Sequence, residues 1–431
     1  MKIAIAGYGV EGKASFNYWN TPEHELTIVD EREIVDDLPE GVATILGEGA
    51  FSKLDGFDLV VRTASLDPAK ITTNGKIWSA TNEFFEKCPA PIIGVTGTKG
   101  KGTTASLIAS MLEASGKTVW LIGNIGKASL EILSAVQSDD VVVYELSSFQ
   151  LWDIERSPQV ALVLLIEPDH LNIHADFNDY VGAKTNIRLF QQDGDICVYH
   201  PTNEYSRQIA RSADKGRILR YAIADDGGVY VKEGAFYQAE HKICSVEALQ
   251  LIGQHNVENA CAAISAVKFY DVTDSAIEKG LREFKGLPHR IEFVRELSGV
   301  KYYNDSFSSA PSATIAAMKS FTEPEIIIIG GIDKGADFTE LMGALGYQPN
   351  VKTIICMGDI RHKLADLMRQ TSSQLQVVVT EERTLQPIVK LAQSLAVFGD
   401  VVLLSPACAS FDMFKDFYDR GDQFRNIVNQ L

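Results

Sequence analysis

Lys101 lies between two glycines in the run Gly97-Thr98-Lys99-Gly100-Lys101-Gly102-Thr103-Thr104. An apolar stretch, Ile92 to Val95, precedes the run, and Leu107, Ile108, Met111 and Leu112 follow it at helical spacing. A strand, a glycine loop and a helix N-terminus in this order let consecutive backbone N–H groups converge on phosphate oxygens. Gly97, Gly100 and Gly102 permit the tight turn. Lys101 adds a point charge near the β- and γ-phosphates, and Thr103 or Thr104 can offer a hydroxyl to Mg²⁺. The spacing is a compressed variant of the usual phosphate loop, with Val at 95 and Gly102 directly after the Lys. These residues suit phosphoryl transfer from a nucleoside triphosphate.

A second glycine turn opens the chain. Gly7-Tyr8-Gly9-Val10-Glu11-Gly12 follows the short apolar run Ile3–Ala6, and Leu26-Thr-Ile-Val-Asp30 ends a second run in an acid. The pattern fits a dinucleotide fingerprint, with a diphosphate at the helix N-terminus and Asp30 on a ribose hydroxyl. A nicotinamide cofactor and a sugar nucleotide present the same features, so an oxidoreductase stays open on this motif alone.

Other residues converge on the carboxyl ends of expected strands. Glu145 closes Val141–Tyr144, where a carboxylate can hold Mg²⁺. His170 and His174 are spaced i, i+4, but no Glu or Cys nearby completes a zinc set. Lys184 lies fourteen residues after His170. Asn256 and Asn259 share one helical face and can read the edge of a base, although Asn256 can equally cap its helix. Asn304-Asp305-Ser306, Gly330-Gly-Ile-Asp-Lys334 and Leu404-Ser-Pro-Ala-Cys-Ala-Ser410 come later. Lys334 suits a carboxylate. Ser410 would open an anion site at a helix expected to begin at Phe411.

The elements that must carry these groups form an α/β chain of three sections. Residues 1–89 alternate strand and helix and end at Cys88-Pro-Ala-Pro91, a helix-breaking connector. Residues 90–286 hold the phosphate loop and strands expected at Thr118–Ile122, Val141–Leu146 and Val160–Ile166. A β-rich insertion is expected within 194–245, and a helix from Asn256 to about Phe269. Residues 287–431 carry strands at Glu325–Ile329, Thr353–Met357, Leu375–Val379 and Asp400–Leu404. Small doubly wound sheets are expected in the first and last sections and a phosphate-loop sheet in the middle.

Composition narrows the class. In 431 residues the formal charge is −17, which disfavours a broad basic face for nucleic acid. No apolar run reaches the length of a membrane span, and Ile3–Ala6 is too short for a secretory core, so a cytoplasmic protein is expected. The six cysteines, at 88, 197, 244, 261, 356 and 408, form no C-x-x-C pair and read as small buried hydrophobes, Cys408 being the one inside a motif.

Taken together and in order, these motifs resemble the Mur ligases of peptidoglycan synthesis: the N-terminal glycine turn, GTKGKGTT, GNIG, ELSSFQ, DH with a later Lys, GQHN-x-x-NA, GLPHR, NDS, GG-x-x-KGADF and LSPACAS. The resemblance covers the whole chain and leans toward the branch that adds D-glutamate. It implies ATP-dependent amide formation on UDP-N-acetylmuramoyl-L-alanine, through an acyl phosphate and a tetrahedral intermediate. Lys101, Glu145, His170 and Lys184 would be catalytic. ATP would lie on Gly97–Thr104, Asn256, Asn259, Arg290 and Asp305. The UDP-sugar would meet Gly9, Val10, Glu11, Gly12, Asp30, Arg32, Asn124, Ser147, Gln150 and His170. D-Glutamate would meet Ser309, Lys334, Ser410, Phe411 and Phe417. Thr103 and Glu145 would hold one Mg²⁺, and His170 with a carbamylated Lys184 a second, Mn²⁺ being a substitute. A monomer with no nucleic-acid or membrane partner is implied.

The chain departs from the family pattern in places. Phe307-Ser-Ser-Ala-Pro311 replaces Lys-Ala-Thr-Asn after Asn-Asp-Ser, removing a cation expected near the phosphates. Ser308 or Ser309 keeps a hydroxyl there, and Lys99, where Asn is frequent, can supply part of the charge. Arg62-Thr-Ala-Ser65 replaces Ser-Pro-Gly, and Leu165 replaces a common Asn. The stretch at 307 also resembles a relative that adds L-glutamate. A catalytically weak regulatory homologue is the remaining alternative.

Overall fold

The computed structural model describes residues 1–123, 128–224, 227–371 and 375–431. They form two compact units, residues 1–249 with 257–284, and residues 250–256 with 285–431.

The first unit contains two parallel sheets. Strands β1 (Lys2–Ala6), β2 (Glu25–Asp30), β3 (Ala43–Leu46), β4 (Leu59–Arg62) and β5 (Lys76–Ser79) lie in the order β3-β2-β1-β4-β5. Strands β6 (Ile92–Thr96), β7 (Val119–Gly123), β8 (Val141–Glu145), β9 (Val160–Val163), β10 (Ile196–Tyr199) and β11 (Arg217–Arg220) lie in the order β11-β10-β9-β6-β8-β7. Every residue of β6, β8, β9 and β10 is buried, as continuous apolar runs in a sheet covered on both faces require. Strand order reverses at β1 in one sheet and at β6 in the other. Both glycine turns therefore open at a switch point, where the carboxyl ends of diverging connections leave a crevice.

The two sheets share a core. Ile3, Ile5 and Phe16 belong to the same buried cluster as Val142, Leu151 and Val163. Phe84 and Phe85, from the helix Ala80–Lys87, meet the ring of Tyr144 on β8 edge-on and stacked, respectively.

Two expectations needed revision here. The strand expected over Val160–Ile166 stops at Val163, because the chain then bends around the phosphate loop: Leu165 O accepts from Thr98 N at 2.8 Å. The stretch 194–245 is only partly an insertion. β10 and β11 extend the parallel sheet, while β12 (Val229–Lys232), β13 (Ala235–Gln238) and β14 (His241–Ser245) form a separate antiparallel sheet.

In the second unit, β15 (Glu292–Leu297), β16 (Val300–Asn304), β17 (Glu325–Gly330), β18 (Val351–Met357), β19 (Gln376–Val379) and β20 (Val401–Leu404) take the order β15-β16-β20-β17-β18-β19. Only β15 runs antiparallel, joined to β16 by Ser298-Gly299 with both φ positive, at 52° and 77°. The positive φ at Gly299 strains any residue with a Cβ, and that Cβ would also meet the exposed Phe398 ring.

Candidate functional site

The phosphate loop follows β6, and the helix Lys101–Ala114 starts directly from it. Gly100 takes φ 85° as the helix cap, and a Cβ there would lie 2.6 Å from Asn259 Oδ1. Asn259 thus packs on the loop itself. Thr98 ties the loop to the chain after β9 through Glu167 O at 3.0 Å and Tyr180 Oη at 2.9 Å. Lys101 Nζ donates to Gly97 O and Thr98 O at 3.1 and 3.0 Å. Thr103 is half-buried, whereas Thr104 Oγ1 is buried with no hydrogen-bond partner among the described residues. Of the two hydroxyls, that of Thr103 is the accessible one. Lys99 pairs with Glu167 at 3.4 Å.

Lys184 reaches the same loop from the helix Phe177–Leu189. It is 1% exposed, and its Nζ donates to Thr96 Oγ1 at 3.1 Å and Gly97 O at 3.0 Å. Among the described residues it makes no ion pair. Burial, and then Lys101, push its pKa well below that of an ordinary lysine, so the neutral amine is favoured. Glu145, at the end of β8, is buried and acts on Lys184 electrostatically.

His170 has a left-handed backbone (φ 55°) and an exposed ring 4.9 Å from Phe149. Burial, opposed by Asp169 and aided by Lys101 and Lys184, lowers its pKa, favouring a neutral imidazole. Lys101, Ser147, Ser148, Phe149, His170, Tyr180 and Lys184 line one cavity of about 170 Å³. Ser147 and Gln150 cap each other across the short helix Ser148–Leu151: Gln150 N donates to Ser147 Oγ, and Ser147 N to Gln150 Oε1 at 3.0 Å.

The N-terminal turn is built differently. Asp30 accepts from Tyr8 N at 2.9 Å and from Arg32 Nε and Nη2 at 2.9 and 2.7 Å. The Arg32 guanidinium holds the Asp30 pKa down at about 2. Glu11 turns inward, accepting from Ala64 N at 2.8 Å, and burial raises its pKa. Gly12 has no room for a Cβ, which would lie 2.0 Å from Gly7 O. Gly9 and Val10 are exposed at the helix start. What remains open to a ligand is the backbone of Gly9–Val10 and the outer side of Arg32. Asn124, the remaining residue expected at the sugar nucleotide, lies outside the described residues.

In the second unit, Asp305 is buried, accepting from Ser405 Oγ at 2.7 Å and Ile291 N at 3.2 Å. Burial raises its pKa to about 6. The Arg290 guanidinium lies 3.7 Å from the centre of the Phe307 ring, and Phe417 meets that ring edge-on at 5.1 Å. Position 307 therefore has no cation of its own but presents one, stacked on its face. Asn256 also belongs to this unit; its Nδ2 donates to Ile252 O at 2.7 Å. Lys334 lies 4.8 Å from the Phe411 ring. Ser309 is exposed and, among the described residues, bonds its own turn at Phe307 O.

The helix expected from Phe411 begins instead at Phe417, capped by Asp416. Ser410 accordingly does not open a helix; it is buried, and its carbonyl accepts from Met413 N and Phe414 N. Asp416 and Asp419 outcompete it as the start signal: Asp416 accepts from Asp419 N in the first turn, and Asp419 reaches back to accept from Lys415 N just before the cap. Cys408 is buried, with its thiol pushed up to about 12, which leaves no reactive thiolate.

Sequence reasoning assigned no role to four groups. Arg62 is fully buried and bonds Asp153 through Nε and Nη2. Arg420 is fully buried and joins Ser306 Oγ to Cys408 O, tying two motifs together. Ser148 and His174 are bonded to one another at the cavity wall. An Arg at the end of an apolar strand was the available signal for Arg62. Arg420, in a charged helix, gave none.

Among the described residues, no three His, Cys, Asp or Glu side chains cluster as a metal site. Mg²⁺ does not require such a cluster, because it keeps several waters and takes one or two protein oxygens. The Glu145 carboxylate and Thr103 hydroxyl suit it.

The chain matches two family models, the Mur ligase middle domain over residues 95–267 and the Mur ligase glutamate ligase domain over residues 289–408. It is 37% identical to the UDP-N-acetylmuramoylalanine–D-glutamate ligase of Clostridium tetani, over all of this chain and 97% of that one. Identity to the protein of the same name from Clostridium kluyveri is 35%, with the same coverage. Among solved structures, the MurF ligase of Thermotoga maritima in complex with ADP matches with a TM-score of 0.61 and 17% identity, over 99% of this chain and 94% of that one. A type C pseudomurein peptide ligase from Methanothermus fervidus matches with a TM-score of 0.58 and 17% identity, over 100% and 99%. These structural matches speak for the fold.

Proposed function

The chain belongs to the Mur ligase family, and from that premise we propose that it joins D-glutamate to the L-alanyl carboxylate of UDP-N-acetylmuramoyl-L-alanine, consuming ATP. The observation that carries this reading is the cavity in which Lys101, His170 and Lys184 meet beside the phosphate loop. Such a cavity collects cationic and metal-binding groups where negative charge must accumulate.

In the proposed reaction an alanyl carboxylate oxygen attacks the γ-phosphorus of ATP, and the bond to the β-bridging oxygen breaks. ADP leaves, and an acyl phosphate remains. The amine of D-glutamate then adds to the acyl carbon and loses a proton, and phosphate departs from the tetrahedral intermediate. Lys101 offsets charge on the transferring group, and loop N–H groups orient the phosphates. Mg²⁺, held by Thr103 and Glu145, would supply further charge neutralisation when bound. Lys184 fits a second role: a buried neutral amine can add CO₂ to become an anionic carbamate, which with His170 suits a second cation.

We assign the sugar nucleotide to residues 1–89, ATP to 90–286 and the amino acid to 287–431. Single residues cross these bounds: Gly9–Gly12 and Arg32, with Ser147 and Gln150 of the middle segment, serve the sugar nucleotide; Asn256 and Asn259, with Arg290 and Asp305 of the last segment, serve ATP; Lys334, Ser410, Phe411 and Phe417 serve D-glutamate. Asp30 acts by holding Arg32. Among the described residues no helix is long and apolar enough to cross a membrane. The proposed reaction takes soluble substrates, and we assign it to a monomer in the cytoplasm.

The test supplies ATP, Mg²⁺ and UDP-N-acetylmuramoyl-L-alanine, then compares phosphate release with D-glutamate, L-glutamate and no amino acid. D-Glutamate-dependent release is expected. Release that depends on L-glutamate alone would move the chain to the other stereochemistry, and no amino-acid dependence would sink the ligase reading.

A further inference from the structure

Ser148, His174 and Asp179 form a chain of hydrogen bonds at the wall of the cavity. Ser148 Oγ lies 2.9 Å from His174 Nε2, and His174 Nδ1 lies 2.8 Å from Asp179 Oδ2. Asp179 is anchored by Trp152 Nε1 at 3.2 Å and Ala175 N at 3.3 Å, and these bonds with His174 outweigh burial and lower its pKa. The imidazole is 2% exposed. It is stacked on Phe149 at 5.3 Å, with Tyr180 edge-on at the same distance and Trp152 at 4.4 Å.

For a neutral imidazole this arrangement leaves one placement of the protons. Ionised Asp179 can only accept, so Nδ1 carries the hydrogen. In the neutral ring Nε2 is then an acceptor, and the single proton of Ser148 points inward to it. The Ser148 oxygen is left with lone pairs toward the cavity.

Besides the His170 ring, which the proposed function assigns to a cation, the rest of the lining offers few acceptors. Lys101 and Lys184 are donors to loop carbonyls, and the Tyr180 hydroxyl is engaged with Thr98. Ser147 Oγ is engaged with Gln150 on both sides. A substrate carboxylate delivered here, as the ligase reading requires, brings a buried amide N–H on the adjacent carbon. Leaving that N–H without a partner would cost binding energy.

We propose that Ser148 accepts a hydrogen bond from the alanyl amide of the sugar nucleotide, and that His174 and Asp179 are positioning residues that hold its proton away. The inference rests on the proposed function. Asp179→Asn is informative because the amide would donate to Nδ1, move the ring proton to Nε2 and turn the serine proton toward the substrate.

Calorimetry on the full chain without ATP tests this with two probes, UDP-N-acetylmuramoyl-L-alanine and UDP-N-acetylmuramate, which lacks the alanyl amide. Ser148→Ala and Asp179→Asn are expected to weaken the alanyl nucleotide about tenfold and leave the shorter one unchanged. His174→Leu should follow them, and His174→Gln, which keeps an acceptor beside Ser148, should recover most of the loss. Thermal melts check that each variant folds. Equal losses for both probes, or none for either in folded Ser148→Ala, would overturn the proposal. Failure of the wild-type chain to bind either nucleotide would overturn the ligase reading and this inference with it.

Discussion

Arg62 and Lys184 are both buried cations of the first unit, and their surroundings are opposite. Arg62 donates to both oxygens of Asp153 and to the carbonyls of Thr63, Ala64, Leu66 and Phe149. Lys184 meets one hydroxyl and one carbonyl, next to a second lysine. Arg62 is a saturated charge, and its environment has nothing left to give a ligand. Lys184 is under-compensated, so its environment favours losing the proton or gaining an anion. Completeness of pairing thus separates a buried cation that holds structure from one poised for chemistry.

The largest expected effect is at Lys184. Lys184→Ala should lower D-glutamate-dependent phosphate release by about 1000-fold or more, a loss of about 4 kcal/mol in transition-state stabilisation. Short-chain carboxylic acids should restore part of it, and Lys184→Arg should not, because a guanidinium does not form a carbamate. A silent Lys184→Ala would erase the contrast with Arg62.

Arg62→Met should act on folding instead. Leaving Asp153 and four carbonyls unpaired costs about 3–5 kcal/mol, read by urea denaturation, and the double variant Arg62→Met/Asp153→Leu should regain much of it.

Glu325 tests the rule with the sign reversed. It is buried at the start of β17, its Oε1 accepts from Asn350 Nδ2 at 2.6 Å while its Oε2 has no hydrogen-bond partner among the described residues, and burial raises its pKa to about 8. Between the ordinary carboxyl pKa and about 8 the unfolded chain has released a proton that the folded chain keeps. Stability therefore falls as pH rises through that window. Melting temperature should drop from pH 5 to pH 8, and Glu325→Gln should flatten the slope; an unchanged slope would show that another group dominates.

Arg290 is the intermediate case, a half-buried cation on the Phe307 ring. Phe307→Leu removes about 1 kcal/mol of cation–π attraction and should raise the KM for ATP several-fold with little change in melting temperature. Equal effects on stability and KM would mean that the stack serves the fold.

The motifs were legible because their chemistry depends on local spacing. Gly97–Thr104, Glu145 and the glycine turn all fall at the carboxyl ends of strands, and the apolar runs of β1, β6 and β20 announce those strands directly. What stayed hidden depends on distant partners. Nothing in Asp179 or Ser148 announces a bond to His174, and Asp30 gives no sign that Arg32 occupies it. Residues 194–245 misled because two short parallel strands and an antiparallel trio share the same glycine-punctuated pattern. Ser410 misled because a loop of Phe, Asp, Met and Lys has helical composition, whereas the cap that starts the helix lies six residues on.

The Cys88–Pro91 connector looks like a seam, yet Ala90 and Ile92 lie in the cluster that also holds Ile3 and Tyr144. Anyone recombining relatives at this point would exchange half of a common interior. A chimera cut there has to bring matching partners for Phe84, Phe85 and Tyr144, or the graft would unfold both halves together. The interior that the two sheets share, rather than the proline punctuation, is what a recombination point there has to respect.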